Sequence, residues 1–126
     1  MNDTAVFIDA NVLLESVLSG RRNAEKAQQY ISSHNIVISP LTAHLFAYFG
    51  QKDGLKLDLV LNMLSKHRFT DFGMDEVVWA INNHPGGDFE DALQVSCAIT
   101  SGSQKFATFD KRLAQNYQAF ITMDVL

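Results

Sequence analysis

The chain has 126 residues, of which 47% are apolar and 19% charged, and its formal net charge is −4 at pH 7. This composition excludes an intrinsically disordered chain, and the length is that of one domain, so we predict a single domain over residues 1–126. The acidic balance argues against strong non-specific binding to nucleic acid, which needs a broad basic surface. It does not exclude an enzyme that meets RNA at one local site through bound cations.

The cysteine count and the hydropathy pattern bound the cellular context. Cys97 is the single cysteine, so an intramolecular disulfide is excluded. No run of 18 apolar residues occurs, so we expect no membrane span. The first residues lack a basic region and a small-residue cleavage site, so we expect no signal peptide and a cytoplasmic protein.

Strand and helix patterns alternate along the chain. Short apolar or β-branched runs predict strands at residues 5–8, 36–38, 68–71, 105–108 and 119–122. The intervening patterns predict helices at 12–18, at 24–33 with Asn23 as its N-cap, from Ser39-Pro40 to Gly50 or Gly54, and at 55–64, 74–82, 88–101 and 111–115. Strands separated by helices predict an α/β fold, a three-layer sandwich with a mainly parallel central sheet.

Aspartates recur where a predicted helix begins. Asp9 and Asp110 each follow a predicted strand, whereas Asp88 and Asp91 are three residues apart at the start of a helix and therefore share one face. Open parallel sheets bind ligands beyond the carboxyl ends of their strands. If the strands are neighbours, these aspartates gather in one crevice.

Two interpretations of these aspartates stay open. Taken singly, each is a good helix N-cap, which stabilises a helix by about 1 kcal/mol. Taken together, they are like charges at close range, which is costly unless they are protonated or neutralised. A hard divalent cation such as Mg²⁺ or Mn²⁺ neutralises carboxylates and can activate water towards a phosphodiester.

Two polar neighbours of the aspartates have a structural and a functional interpretation. The Asn11 amide could orient the Asp9 carboxylate, or it could cap the first helix. The Thr108 hydroxyl could donate to a carboxylate or phosphate, although a β-branched residue in a strand needs no such role.

Four segments resemble the PIN-domain family over nearly the whole chain. They are FIDANVLL from Phe7, ISPLTAHLFAYF from Ile38, GGDFEDALQVSCAITSG from Gly86 and FATFDKRL from Phe106. The first, third and fourth segments, in that order and at that spacing, form a fairly specific signal.

The resemblance implies a set of site residues. Asp9, Asp91 and Asp110 match the first, third and fourth acids of the family, so they are the implied catalytic residues. The same three acids, with Asp88 as a companion, would hold Mg²⁺ or Mn²⁺, and Ser39 and Thr108 match the family's hydroxyl positions.

The resemblance also implies an activity and partners. It implies a metal-dependent endoribonuclease that cleaves single-stranded RNA, and a VapC-like toxin that is silenced by a cognate antitoxin. It also implies a homodimer, for which the sequence offers surplus apolar residues at Phe46, Phe49, Leu57, Leu61 and Leu64. The candidates for contacts with RNA phosphates are the basic residues Arg21, Arg22, Lys105, Lys111 and Arg112.

One position departs from the family. The Glu that usually lies six residues after Ser39 is replaced by Leu45, and no acid occurs between Ile36 and Gln51. His44 could be a substitute ligand, the activity could be weakened, or the domain could be a catalytically degenerate module that binds RNA or a protein partner. Glu15 could also turn towards the site. A third class, a phosphotransfer domain with an aspartyl acceptor, lacks a clearly placed lysine.

Overall fold

A computed structural model describes residues 4–18 and 20–126 of the chain. The strands are β1 Ala5–Ile8, β2 Asn35–Ile38, β3 Arg68–Phe69, β4 Lys105–Thr108 and β5 Thr122–Val125. The helices are α1 Ala10–Val17, α2 Ala24–Ser33, α3 Pro40–Lys52, α4 Leu57–Leu64, α5 Met74–Asn83, α6 Phe89–Thr100 and α7 Lys111–Tyr117. The predicted domain bounds include residues 1–3 and 19, which lie outside the described residues.

The strands form one five-stranded sheet in the order β3-β2-β1-β4-β5, and every pairing in it is parallel. This confirms the predicted α/β class. Successive side chains of a strand point to opposite faces of the sheet, and all four residues of β1 are buried. Helices therefore cover both faces. Val6 and Ile8 of β1 pack into one buried cluster with residues of α1 to α4. Phe7 packs into a second cluster with residues of α5, α6 and α7.

The sheet register places the ends of two central strands side by side. β1 pairs with β4 so that Ile8 lies opposite Ala107. The backbone N–H of Asp9 then donates to the carbonyl oxygen of Ala107 at 3.0 Å. The residues that follow β1 and β4 therefore emerge together at the carboxyl edge of the sheet.

Helix α3 owes its start to a local motif. The Ser39 side chain accepts from the N–H of Thr42 at 3.1 Å, while the Thr42 hydroxyl accepts from the N–H of Ser39 at 3.4 Å, and Pro40 occupies the first helical position. The predicted helix opening at Ser39-Pro40 is confirmed. The helix continues through Gly50 and ends at Lys52.

Two local predictions are wrong. The last strand is Thr122–Val125 and not 119–122, because α7 runs to Tyr117 and a turn follows in which the N–H of Phe120 donates to the carbonyl oxygen of Tyr117. Asn23 precedes α2 but its side chain makes no capping hydrogen bond; instead its backbone N–H donates to Glu15 at 3.2 Å.

The apolar residues expected at a dimer surface divide into two sets. Phe46 and Leu64 are buried in the core, so they are not surplus. Phe49, Leu57 and Leu61 are exposed, as expected. Within residues 4–18 and 20–126, no helix is long and apolar enough to cross a bilayer.

Candidate active site

Asp9 is the most buried carboxylate of the crevice. It follows β1, is 4% exposed, and accepts a hydrogen bond at Oδ2 from the Thr108 hydroxyl at 2.9 Å. Burial raises the pKa of the Asp9 carboxyl, and the bond from Thr108 opposes this. Asp9 stands in the N-cap position of α1, yet its side chain makes no capping bond. The backbone N–H groups of Asn11 and Ala10 in the first turn nevertheless lower the pKa of this carboxyl, so a capping role for Asp9 is not excluded.

Thr108 connects two of the aspartates. Its hydroxyl donates to Asp9 and accepts from the backbone N–H of Asp110 at 2.9 Å. Asp110 caps α7, because its Oδ1 accepts from the N–H groups of Arg112 at 2.9 Å and Leu113 at 3.1 Å. One oxygen of Asp110 is thus used to cap the helix. Capping and metal binding are therefore compatible roles for this residue.

The third part of the crevice is the start of α6. Asp88 caps this helix through an Oδ1 contact with the N–H of Glu90 at 2.9 Å. Asp91 lies in the first turn, and burial raises its pKa to about 7, with Asp88, Asp9, Asp110 and Glu90 adding to the rise in that order. The carboxylates of three chain segments therefore act on one another.

These side chains line a cavity of about 600 Å³ at the carboxyl edge of the sheet. The acids on its wall are Asp9, Asp88, Glu90, Asp91 and Asp110. The remaining lining includes the backbone of Gly86 and Gly87, which have φ values of 111° and 83° that favour glycine. All four aspartates thus reach this wall, two from the carboxyl ends of strands and two from the start of α6.

Two residues of the cavity were missed by the sequence reasoning. Glu90 lines the cavity between Asp88 and Asp91, and its place in the DFED run was the available signal. Gln94, one turn further along α6, is buried, and its Oε1 accepts from the backbone N–H of Ala10 at 3.3 Å. This bond ties α6 to the start of α1 directly beside Asp9.

The other predicted site residues are placed as follows. Asn11 is exposed on the cavity wall inside α1, so it does not cap that helix. Ser39 is buried at the start of α3 and does not line the cavity. His44 is exposed, stacks against Tyr48 with ring centroids 6.3 Å apart, and is also absent from the lining. Leu45 faces the cavity.

The basic candidates are distributed unevenly. Arg112 lines the cavity, so a positive charge lies beside the acids. Arg21 is paired with Glu15 at 3.1 Å, which also holds Glu15 away from the crevice. Lys105 begins β4, and therefore lies at the opposite edge of the sheet from Asp110.

The donor chemistry of the cavity fits a hard divalent cation in its solvated form. The acids offer oxygen ligands, which Mg²⁺ and Mn²⁺ prefer. Within the described residues, no three acidic, histidine or cysteine side chains form a ready-made metal cage. Mg²⁺ usually keeps several waters and is held through one or two carboxylates. A wide, acid-lined cavity meets that requirement without a closed cage.

A model of the PIN domain family matches residues 6–118. The chain therefore belongs to the PIN domain family, as its motifs indicated. No curated protein shows a significant match to the chain.

Solved structures with the same fold include toxins of toxin–antitoxin modules. VapC20 of Mycobacterium tuberculosis, a toxin that cleaves the sarcin-ricin loop, has a TM-score of 0.73 at 15% identity and covers 87% of this chain and 93% of its own. A toxin–antitoxin complex from Klebsiella pneumoniae gives 0.75 at 16% identity, covering 95% and 96%. VapBC2 from Rickettsia felis, bound to promoter DNA, gives 0.71 at 15% identity, covering 97% and 98%.

Proposed function

We propose that this chain, as a single PIN domain over residues 1–126, is a metal-dependent endoribonuclease that cleaves single-stranded RNA. The observation that carries the proposal is the acid-lined cavity, in which Asp9, Asp91 and Asp110 come from three different elements yet share one wall. A protein keeps such a cluster of like charges at a cost to its stability. A site for a divalent cation gives the cluster a use.

The proposed metal ligands are Asp9, Asp88, Asp91 and Asp110, with Mg²⁺ or Mn²⁺ as the ion. When bound, such an ion lowers the pKa of a water and stabilises charge on a phosphodiester. Thr108 holds Asp9 and the backbone of Asp110 in fixed relation, and this supports the ligand geometry.

Other residues of the cavity contribute to binding the RNA. The Arg112 guanidinium lies on the wall and can pair with a backbone phosphate, for which Arg is well suited. Gln94 ties α6 to α1 and keeps Asp91 near Asp9. The exposed Asn11 amide can donate to substrate at the same wall.

The biological setting that we propose is the toxin half of a toxin–antitoxin module. Two of the similar structures are toxin–antitoxin assemblies, from Klebsiella pneumoniae and Rickettsia felis.

We further propose a C2 homodimer, the commonest closed symmetry. Exposed apolar side chains on the middle helices, Phe49, Leu57 and Leu61, support it. Sedimentation should give twice the chain mass at tens of micromolar, and a mass near 14.1 kDa would contradict it.

A second function, a catalytically degenerate module that binds RNA or a protein partner, is favoured by one observation. Leu45 of α3 faces the cavity at the place where the family usually has Glu. Three acid-bearing segments and one helix without an acid then line the proposed cation site. The distinguishing measurement is whether the protein both binds metal and cleaves RNA.

Metal binding is tested by titrating Mn²⁺ into the protein in a calorimeter. Asp9→Asn and Asp91→Asn should each weaken binding at least tenfold, because each removes a carboxylate from the wall. Asp58→Asn is the matched control, since Asp58 is an exposed acid in the first turn of α4 and outside the cavity. Equal affinities in all four proteins would refute the metal site.

A further inference from the structure

We propose that Tyr48 and Phe49 of α3 form a stacking platform for an unpaired base of single-stranded RNA, beside the cavity that carries the acids. The inference rests on the proposed ribonuclease function, and it names the part of the substrate that α3 binds. It is carried by the exposure of the two rings, by their continuity with the cavity and by the charge of the helix around them.

The two rings form an exposed and mutually supported pair. Tyr48 is 47% exposed and Phe49 is 44% exposed. Their ring centroids lie 5.0 Å apart with the ring planes at 82°, which is the favourable edge-to-face arrangement. An aromatic side chain has only two rotatable bonds, so it loses little conformational entropy when a base stacks on it. The pair therefore offers a rigid aromatic surface to the solvent.

A second aromatic pair shows what is particular to this one. Trp79 and Phe120 are 5.1 Å apart, also at 82°, and Phe120 is 45% exposed. Phe120 precedes β5, at the amino edge of the sheet, and lies outside the cavity lining. Phe49 instead lines the cavity together with Asp9 and Asp110. An RNA chain with a phosphate at these acids would therefore bring a flanking base next to Phe49.

The charge of α3 suits a nucleic acid. Pro40–Lys52 contains no acid, whereas the strand ends and α6 bring five acids to the cavity. The Nζ atom of Lys52 lies 4.6 Å from the centre of the Tyr48 ring, and within residues 4–18 and 20–126 no carboxylate lies within salt-bridge distance of it. This ammonium group is available for a phosphate next to the stacked base. Because like charges repel, the flanking phosphates are expected to follow the acid-free helix.

Aromatic stacking defines the class of ligand. Unpaired bases expose their faces and stack on aromatic side chains, whereas the bases of a duplex are covered by their neighbours. Every base has such a face, so stacking tolerates any sequence. The platform should therefore favour single strands over duplexes without selecting a particular base.

A second copy of the chain is the competing occupant of these rings. Phe49 is one of the three exposed apolar residues that support a dimer, but Leu57 and Leu61 lie on α4 and outside the cavity lining. A partner subunit packed on Phe49 would cover part of the lining that an RNA substrate has to reach. RNA is therefore the better occupant of Phe49, and α4 can serve the dimer.

The test measures binding of two labelled probes by fluorescence anisotropy in chelator, so neither metal binding nor cleavage enters the result. One probe is an oligouridylate of about ten nucleotides, and the other is the same phosphodiester chain without bases, so that the two carry equal charge. The natural protein should bind the oligouridylate at least about fivefold more tightly, which is the smallest cost of losing one stacked base.

The ratio of the two affinities is the decisive quantity in the variants. Tyr48→Leu and Phe49→Leu should each lower it at least threefold, because each removes a ring and leaves the charge unchanged. Tyr48→Phe and Phe49→Tyr keep the rings and should keep the ratio. Phe120→Leu is the matched control, since it removes an equally exposed ring of the other aromatic pair, and it should also keep the ratio.

The outcomes separate this inference from the proposed function. If both leucine variants keep the ratio within threefold, or the natural protein binds the two probes equally, the platform is overturned, whereas cleavage of RNA by the natural protein in Mn²⁺ would still support the ribonuclease. If the ratio is kept and sedimentation shows that the variants no longer dimerise, the rings belong to a contact between subunits. A natural protein that prefers the oligouridylate but never cleaves RNA keeps the platform and loses the catalytic proposal. Thermal melts show whether the variants fold; if Phe49→Leu does not, Tyr48→Leu decides by the same ratio.

Discussion

The two walls of the cavity differ sharply in chemistry. One wall is built from the ends of β1 and β4 and the start of α6, and it carries all five acids. A second part of the lining is α3, which contributes Leu45 and Phe49 and no acid. The difference teaches that the acids come from the strand ends and α6 alone, so an ion would be held by these segments and not by α3.

The α3 wall is not a defective helix. Its start is fixed by Ser39, Thr42 and Pro40, and Phe46 is buried on its inner face. The loss of an acid at Leu45 therefore changes the chemistry of the cavity and leaves the packing of the helix intact. Substitutions on the two walls should have very different effects, and this contrast can be measured.

The largest expected effect is the loss of cleavage in Asp9→Asn. The substitution keeps the side-chain shape but removes a buried charge of the acid wall, so we expect cleavage of a labelled single-stranded RNA to fall at least a thousandfold. His44→Ala, on α3 and outside the cavity lining, should leave the rate within about twofold. Equal losses in the two variants would show that the walls do not differ as described.

Thr108→Val tests the connection within the acid wall. Valine matches the threonine in shape but cannot donate to Asp9 or accept from the backbone N–H of Asp110. We expect Mn²⁺ affinity to fall roughly 10- to 100-fold, as for other losses around metal ligands. Thr108→Ser should restore most of the affinity, whereas a serine variant as weak as the valine variant would point to packing as the cause.

Leu45→Glu in the natural chain tests whether α3 can be given an acid that raises the activity. Leu45 lines the cavity, so a carboxylate placed there adds to the acids of the lining. We expect the cleavage rate in Mg²⁺ to rise by about tenfold, because a further carboxylate can hold or orient a metal-bound water. Leu41→Glu, one turn earlier on α3 and outside the cavity lining, is the control and should not raise the rate.

The smallest effect is on the stability of the metal-free protein. The pKa of Asp91 is raised to about 7, whereas the unfolded value is 3.8. Between these values the folded state holds a proton that the unfolded state has lost, so stability falls as the pH rises and is constant above about 7. One pKa unit corresponds to about 1.4 kcal/mol, and solvent screening of this partly exposed group reduces the total to about 2 kcal/mol.

Asp91→Asn does not titrate, so it should unfold at a higher temperature than the natural protein at pH 8 in chelator, and at a similar temperature near pH 4. Thermal melts across this range measure the difference. A natural protein that gains stability from pH 4 to pH 7 relative to Asp91→Asn would show that the carboxyl is stabilised in its charged form.

The sequence predicted the sheet class and most elements because strand runs and helix caps are local signals. The spans Ala5–Ile8, Ala24–Ser33 and Lys105–Thr108 were predicted to the residue. The error at Thr122–Val125 arose because the turn after Tyr117 continues an apolar run that resembles a strand. Local apolarity does not distinguish a buried turn from the strand that follows it.

The site could be predicted less completely than the fold. The aspartates follow strands or begin a helix, so their gathering follows from the parallel topology. Glu90 and Gln94 enter the cavity through the rotation of α6, which depends on how that helix packs against the sheet. Ser39 matched a family motif, yet in the structure it serves the start of α3 and lies outside the cavity lining.

The central claim is that the acid wall supports cleavage of RNA through a divalent cation. It is tested most directly by incubating the purified natural protein with a labelled single-stranded RNA in Mn²⁺, in Mg²⁺ and in excess chelator, with Asp91→Asn in parallel. The account predicts cleavage in Mn²⁺, slower cleavage in Mg²⁺, none in chelator and none by Asp91→Asn. Cleavage that persists in chelator or in Asp91→Asn, or no cleavage by the natural protein under any of these conditions, would contradict it.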